Sequence, residues 1–152
     1  MATPSAKTNV TQFNKEILKF TKNIDKDHFS PFMRKIAIEA LKRVVEKTPV
    51  GNPSLWKGKP PAGYTGGQAR GNWQVSIDVP IEGISTLIDA SGSTAIMTGL
   101  QEIAALKDKG IGSIIFISNN LPYILRLEDG HSTQAPEGMV SLTIEELRTM
   151  FK

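Results

Sequence analysis

Residues 51–67 hold five of the chain's thirteen glycines and three of its nine prolines. Glycine weakens helix and strand interiors, and proline removes a backbone donor, so no regular element runs through such a stretch. The core must therefore be built from what lies on either side. A structureless connection beyond about 12–15 residues is uncommon inside a compact domain and is often functional. Trp56 and Tyr64 lie within it. They are large apolar groups that need a surface to pack on, which makes them candidate interface residues packing on a neighbouring subunit or protein.

Before this loop the apolar spacing is helical. Residues 1–10 are small and polar and read as a mobile terminus, leaving 11–152 as a single domain. Phe13, Ile17, Phe20 and Ile24 step by four, three and four, a narrow helical stripe. Ser30 and Pro31 suit the start of a second helix, with Met33, Ile36, Ala37, Ala40, Leu41 and Val44 on its inner face. Arg34, Lys35, Lys42 and Arg43 take outer positions, and Pro49 stops the helix.

After the loop the period changes to two. Ala69, Gly71, Trp73, Val75, Ile77 and Val79 alternate with polar residues, predicting a strand that ends at Pro80. Ile84–Ile88 reads as a weaker second strand. Ser93 or Thr94 caps a helix carrying Ile96, Met97, Leu100, Ile103 and Ala104, ended by Gly110. Ile114–Ile117 is short and wholly apolar, as a fully buried strand would be. Pro122 starts a short helix to about Glu128, and Asp129-Gly130 is a turn. Met139-Val140 is a brief strand, and Thr143 with Glu146 forms a capping box for a C-terminal helix. The expected fold is α+β: N-terminal helices on a small, mostly antiparallel sheet, with a long loop and a C-terminal helix.

A chain of 152 residues with no cysteine has no disulfide framework and no thiolate nucleophile, and its two histidines exclude a His-rich metal site. No apolar run is long enough to span a membrane, and no secretory leader is visible. The net charge of +3 hides an asymmetry: residues 1–70 carry 13 Lys/Arg against 5 Asp/Glu, and residues 71–152 carry 5 against 10. The plainer reading is a basic helical face and an acidic remainder, both solvated; the sharper one is a subunit with a positive and a negative side, which can stack complementary faces or sit near nucleic acid.

The motifs of nucleotide binding, serine hydrolysis and zinc proteolysis are missing. Gly66-Gly67-Gln68-Ala69-Arg70-Gly71 is glycine-rich but precedes a strand pattern, so no phosphate cradle is expected. Glu128, Asp129 and His131 are close enough to form an acid–base pair, but no nucleophile or oxyanion donor accompanies them, and a surface turn is the better reading. Arg70, Asn72 and Trp73 hint at a nucleic-acid patch, yet Trp73 shares its face with Val75 and Ile77 and belongs in the core. No catalytic residue, cofactor or metal is assigned.

Two strings are distinctive together. The first runs Thr48-Pro49-Val50-Gly51 and, after the loop, Arg70-Gly71-Asn72-Trp73. The second runs Asn119-Asn120-Leu121-Pro122-Tyr123, then Leu127-Glu128-Asp129-Gly130-His131-Ser132, then Gln134-Ala135-Pro136-Glu137-Gly138-Met139-Val140. In order and spacing, over roughly residues 10–150, the chain resembles a family of tailed-bacteriophage neck proteins of long-tailed phages, described as tail-completion or tail-to-head joining proteins. Many members pass from the Thr-Pro-Val through an Asp-Thr-Gly turn directly to the Arg and Trp; here Gly51 replaces the Asp and the longer loop intervenes. The resemblance implies a non-enzymatic virion component, made in the host cytoplasm, that forms a ring, sixfold or alternatively twelvefold. The ring would join the head connector or portal to the tail tube and leave a channel through which DNA passes without sequence readout. A tail-tube terminator or minor tail protein is the nearest alternative, and a small hydrolase or nuclease a more distant one. The family-motif residues Thr48, Pro49, Arg70, Trp73, Asn120, Pro122, Tyr123, Glu128, Gly130, His131, Pro136 and Gly138 all have fold-maintaining readings. Arg70 is expected to reach an acidic partner or a helix C-terminus. Because a basic conduit would hold DNA by counterion release, the channel wall is expected to draw on the acidic C-terminal half, with the basic helix facing outward or toward an adjacent acidic ring.

Overall fold

The helix expected from Ser30 is the element on which the others assemble. The computed structural model describes residues 30–108 and 112–152, together with Lys15 and Lys19. The mobile terminus expected over 1–10, and the helix expected over 11–24 apart from those two lysines, lie outside the described residues. Helix α1 spans Ser30–Lys47 and buries Ala37, Leu41, Val44 and Val45. It packs on α3 (Ser93–Ala104) and α5 (Val140–Met150), and α3 in turn packs on strand β1 (Gln74–Ile77). Two short helices, α2 (Gln68–Gly71) and α4 (Ile124–Glu128), lie before β1 and after the second strand. Strand β1 pairs antiparallel with β2 (Ile115–Ser118), Gln74 opposite Ser118 and Ile77 opposite Ile115. The α+β class holds.

The core is continuous from α1 through the sheet: Leu41, Val45, Trp73, Val75, Ile103, Ala135 and Met139 are buried, with Ile115 and Ile117 packed against them. The register of Trp73 and Val75 facing inward is as their alternation requires. The extent of the strand is not. Residues 68–71 are helical because Gly67, at φ 109°, turns the chain into α2, where a Cβ would strike the Ala90 backbone. Asn72 follows α2 and donates from Nδ2 to Gln68 O at 2.8 Å. At the other end Asp78 takes φ 68°, which stops the strand at Ile77 and leaves Val79 71% exposed.

Ile84–Ile88 is not a strand. Side chains hold it in place of a ladder: Ser85 N donates to Asn72 Oδ1 at 2.7 Å, and Leu87 N donates to Ser85 Oγ at 3.1 Å. Strand β2 is half-buried rather than fully buried, and Ile114 before it is 56% exposed. A two-stranded sheet with a helix on one face cannot enclose both sides of an apolar run.

Helix α3 buries Ala95, Gly99 and Ile103, a stripe rotated from the one expected, and Met97 is 63% exposed. Small residues decide the rotation. A Cβ at Gly99 would collide with Leu41 and Val75, so glycine sets how closely α3 approaches α1 and β1. The helix gives way at Ala104 to a 3₁₀ turn, Ala105–Asp108; Gly110 lies outside the described residues. Its cap is not Ser93 or Thr94 but Asp89, whose Oδ1 accepts from Gly92 N and whose Oδ2 accepts from Thr94 N and Ala95 N, at 2.8–3.1 Å.

Helix α5 begins at Val140, so Met139-Val140 is not a strand and Thr143 is not its cap. Thr143 is buried within the helix and bonds back to Met139 O at 2.8 Å. Glu146 reaches across to α1 instead, accepting from Arg43 and Lys47.

Candidate functional site

Helix α1 ends in a polar knot. Thr48 is fully buried; its hydroxyl donates to Val44 O at 2.6 Å and accepts from Trp73 Nε1 at 2.7 Å. Pro49, which has no N–H, then leads the chain off the helix. Arg70 closes the same end by donating to Glu46 O at 3.2 Å, Thr48 O at 2.9 Å and Ala90 O at 2.8 Å. Of its two expected targets, the helix C-terminus is the one it reaches, where a cation also meets the negative end of the helix dipole.

A second knot orients the C-terminal third. Glu128 accepts from Met139 N, Val140 N and Ser141 N, each at 2.8 Å, and from Ser141 Oγ at 2.6 Å. Burial acts to raise its pKa, but these four donors outweigh that and hold the carboxyl below its ordinary value. Asp89 behaves in the same way. Burial opposes its charge, and bonds from Ser91, Ala95, Gly92 and Thr94 bring its pKa down. Gly130 and Gly138 take positive φ and leave no room for a Cβ: one lies against Pro136 O, the other against Glu128. Asn120 donates to Ile81 O at 2.6 Å and Gly83 O at 3.1 Å, tying the end of β2 to the 80–88 segment. Pro122 sits in the turn into α4, where Ile124 N bonds Leu121 O.

Glu128, Asp129 and His131 are not brought together as an acid–base pair. Both Glu128 oxygens are occupied by the start of α5, and His131 is exposed, with its backbone N–H donating to Arg126 O at 3.0 Å. Among the described residues no group of three acidic or histidine side chains gathers for a metal, and no helix is long and apolar enough to cross a membrane.

The loop 51–67 folds back over the first knot. Gly67 N bonds Val50 O at 2.7 Å and closes its base, and Asn52 caps a short 3₁₀ turn, Pro53–Leu55. Trp56 and Tyr64 stack on each other, ring centroids 4.7 Å apart and tilted by 57°. Facing them is Tyr123, whose hydroxyl bonds Gln68 Oε1 at 3.3 Å and whose pKa is raised by burial and by Tyr64. Between the loop and the α4 side lies a cleft of about 360 Å³. Trp56 remains 39% exposed and Tyr123 38%, so the rings line this cleft without filling it. The motif position of Tyr123 implies only a fold-maintaining role; that it faces the loop aromatics comes from the return of the chain after β2, which no local pattern records.

Of the four basic residues of α1 expected at an interface, Lys35 and Lys42 are exposed and Arg34 is half-buried. Lys35 lies 5.9 Å from the Phe151 ring centroid. Arg43 is engaged within the chain, 2.5 Å from Glu146 Oε2 and 3.5 Å from Glu39. No protein-family model, curated protein or solved structure matches the chain.

Proposed function

We propose that this chain is a structural subunit of a tailed-phage virion, forming a ring in the neck or at the head-proximal end of the tail. It joins the head connector to the tail and leaves a channel for DNA. One observation carries the reading. The residues on which the family resemblance rests are used to fix chain geometry: Thr48, Arg70 and Trp73 anchor the base of the exposed aromatic loop, and Glu128, Gly130 and Gly138 fix the path of the chain from α4 into α5. A scaffold that presents a loop suits assembly, where subunits recognise one another through buried aromatic anchors. Ring contacts of this kind are heterologous and close by rotation. Labelling the protein on intact particles tests the position. Label at the head–tail junction supports the reading, and label distributed along the tube favours a minor tail protein.

A further inference from the structure

Strand β2 has an edge that the chain leaves unpaired. In an antiparallel pair, residues that exchange backbone bonds alternate with residues that point their N–H and C=O away. Asp78 N donates to Ile114 O at 2.8 Å, and the register sets Ser76 opposite Phe116 and Gln74 opposite Ser118. Those are the bonded pairs, so Ile115 and Ile117 direct their backbone groups outward, away from β1. Among the described residues neither makes a hydrogen bond on that side. Strand β1 does not offer the same edge. The 80–88 segment returns beside it, tied by Gln74 Nε2 to Gly83 O at 2.9 Å and by Ser85 N to Asn72 Oδ1, and Val75 is buried. Residues 114–118, by contrast, are half-buried or exposed throughout.

Proteins blunt an open edge with charge, proline or a bulge. Residues 113–118 carry no charge and no proline, and β2 pairs with β1 without a bulge. Only an extended backbone satisfies such an edge, since a helix already uses its own donors and acceptors. The edge is complementary to itself. Laid antiparallel on a second copy about a twofold axis at Phe116, Ile115 stands opposite Ile117 of the second copy, and each outward N–H meets an outward C=O. Residues directly opposite share a face. The isoleucines therefore extend the helix-covered side of the sheet. On the other side Phe116 meets Phe116 of the second copy, and the exposed Ile114 covers Ser118 of the second copy. With no charge on the strand, no like charges are brought together. We propose that the free chain pairs with a second copy through β2, joining the two sheets into one. This contact is isologous and closes at two copies, so it is separate from the heterologous ring contacts and does not rest on them.

The test combines sedimentation of the full-length protein over a range of concentrations with amide hydrogen exchange. A reversible monomer–dimer equilibrium is expected. The Ile115 and Ile117 amides should exchange at least about tenfold more slowly in the dimer, whereas the Phe116 amide, bonded to β1 in the single chain, should be protected at every concentration. Phe116→Lys and Phe116→Glu each set like charges opposite one another at the axis and should weaken dimerisation at least about tenfold, while an equal mixture of the two should recover it. Should those variants fail to fold, Ile114→Lys alters an exposed position and should weaken the dimer without changing the melting temperature, and the exchange of the wild-type amides decides independently. A chain that stays monomeric at all concentrations overturns the proposal and leaves the edge to a different protein. A dimer that forms with no slowing at Ile115 and Ile117, or folded Phe116→Lys and Phe116→Glu chains that fail to pair when mixed, overturns it as well.

Discussion

Thr48 shows how much a single hydroxyl can organise. It is both the donor that ends α1 and the acceptor that satisfies the buried indole of Trp73. Thr48→Val keeps the shape but leaves a buried indole N–H unpaired, at a cost of about 1–3 kcal/mol. Thr48→Ser should recover most of that loss, and chemical denaturation of the two variants measures the difference. Trp73→Ala removes the ring itself from the core and should cost about 3–5 kcal/mol. Asp89 and Glu128 make a pH statement. Both carboxyls are held below their ordinary values in the folded chain, so the unfolded chain binds protons more readily. The stability they contribute is fully present above the ordinary carboxylate range, and it is lost as pH falls through their lowered values. Denaturant midpoints should drop on acidification from pH about 5 downward, and Asp89→Asn with Glu128→Gln should flatten that dependence.

At the scale of elements, two devices decide which surfaces meet. Gly99 lets α3 lie close on Leu41 and Val75, and Gly99→Ala should cost about 1–3 kcal/mol by overpacking, read as a lower melting temperature. Arg70 spans three carbonyls from two segments. Arg70→Lys should not replace it, since an ammonium lacks the planar fork, and hydrogen exchange should then speed up around residues 48–50 and 90. These devices also mark where the sequence was legible. The long helix was readable because its apolar spacing, Pro31 and Pro49 agree. The inward register of Trp73 and Val75 was readable from alternation. The caps were not: Asp89 lies four residues before α3, and Glu128 twelve before α5, so both are set by how the chain returns in space rather than by adjacent residues. Ser93, Thr94 and the Thr143–Glu146 spacing offered a nearer cap in each case, and the tertiary one prevailed. Period two over 69–79 misread α2 because a one-turn helix between Gly67 and Asn72 is too short to display its own period. The aromatic residues of the loop were singled out by type, whereas Tyr123 and Gln134, which complete the cleft, are brought there only by folding.

For the whole molecule the charge asymmetry is partly internal. Arg43 and Lys47 from the basic half meet Glu146 from the acidic half across the α1–α5 contact, and Glu146 is held below its ordinary pKa by those two cations. Reversing Arg43 would therefore disturb the fold as well as any docking. Arg34 and Lys42 separate the two effects, because neither makes an ion pair among the described residues. Arg34→Glu with Lys42→Glu should leave thermal unfolding unchanged while weakening attachment to the adjacent ring. The wild-type attachment should itself fall with added salt, since screening acts beyond about 8 Å at physiological ionic strength. The central claim is that this subunit joins two finished assemblies, and electron microscopy of particles made without it tests that most directly. Complete, DNA-filled heads beside complete, unattached tails are the predicted result; normally joined virions, or tails of altered length, would contradict it.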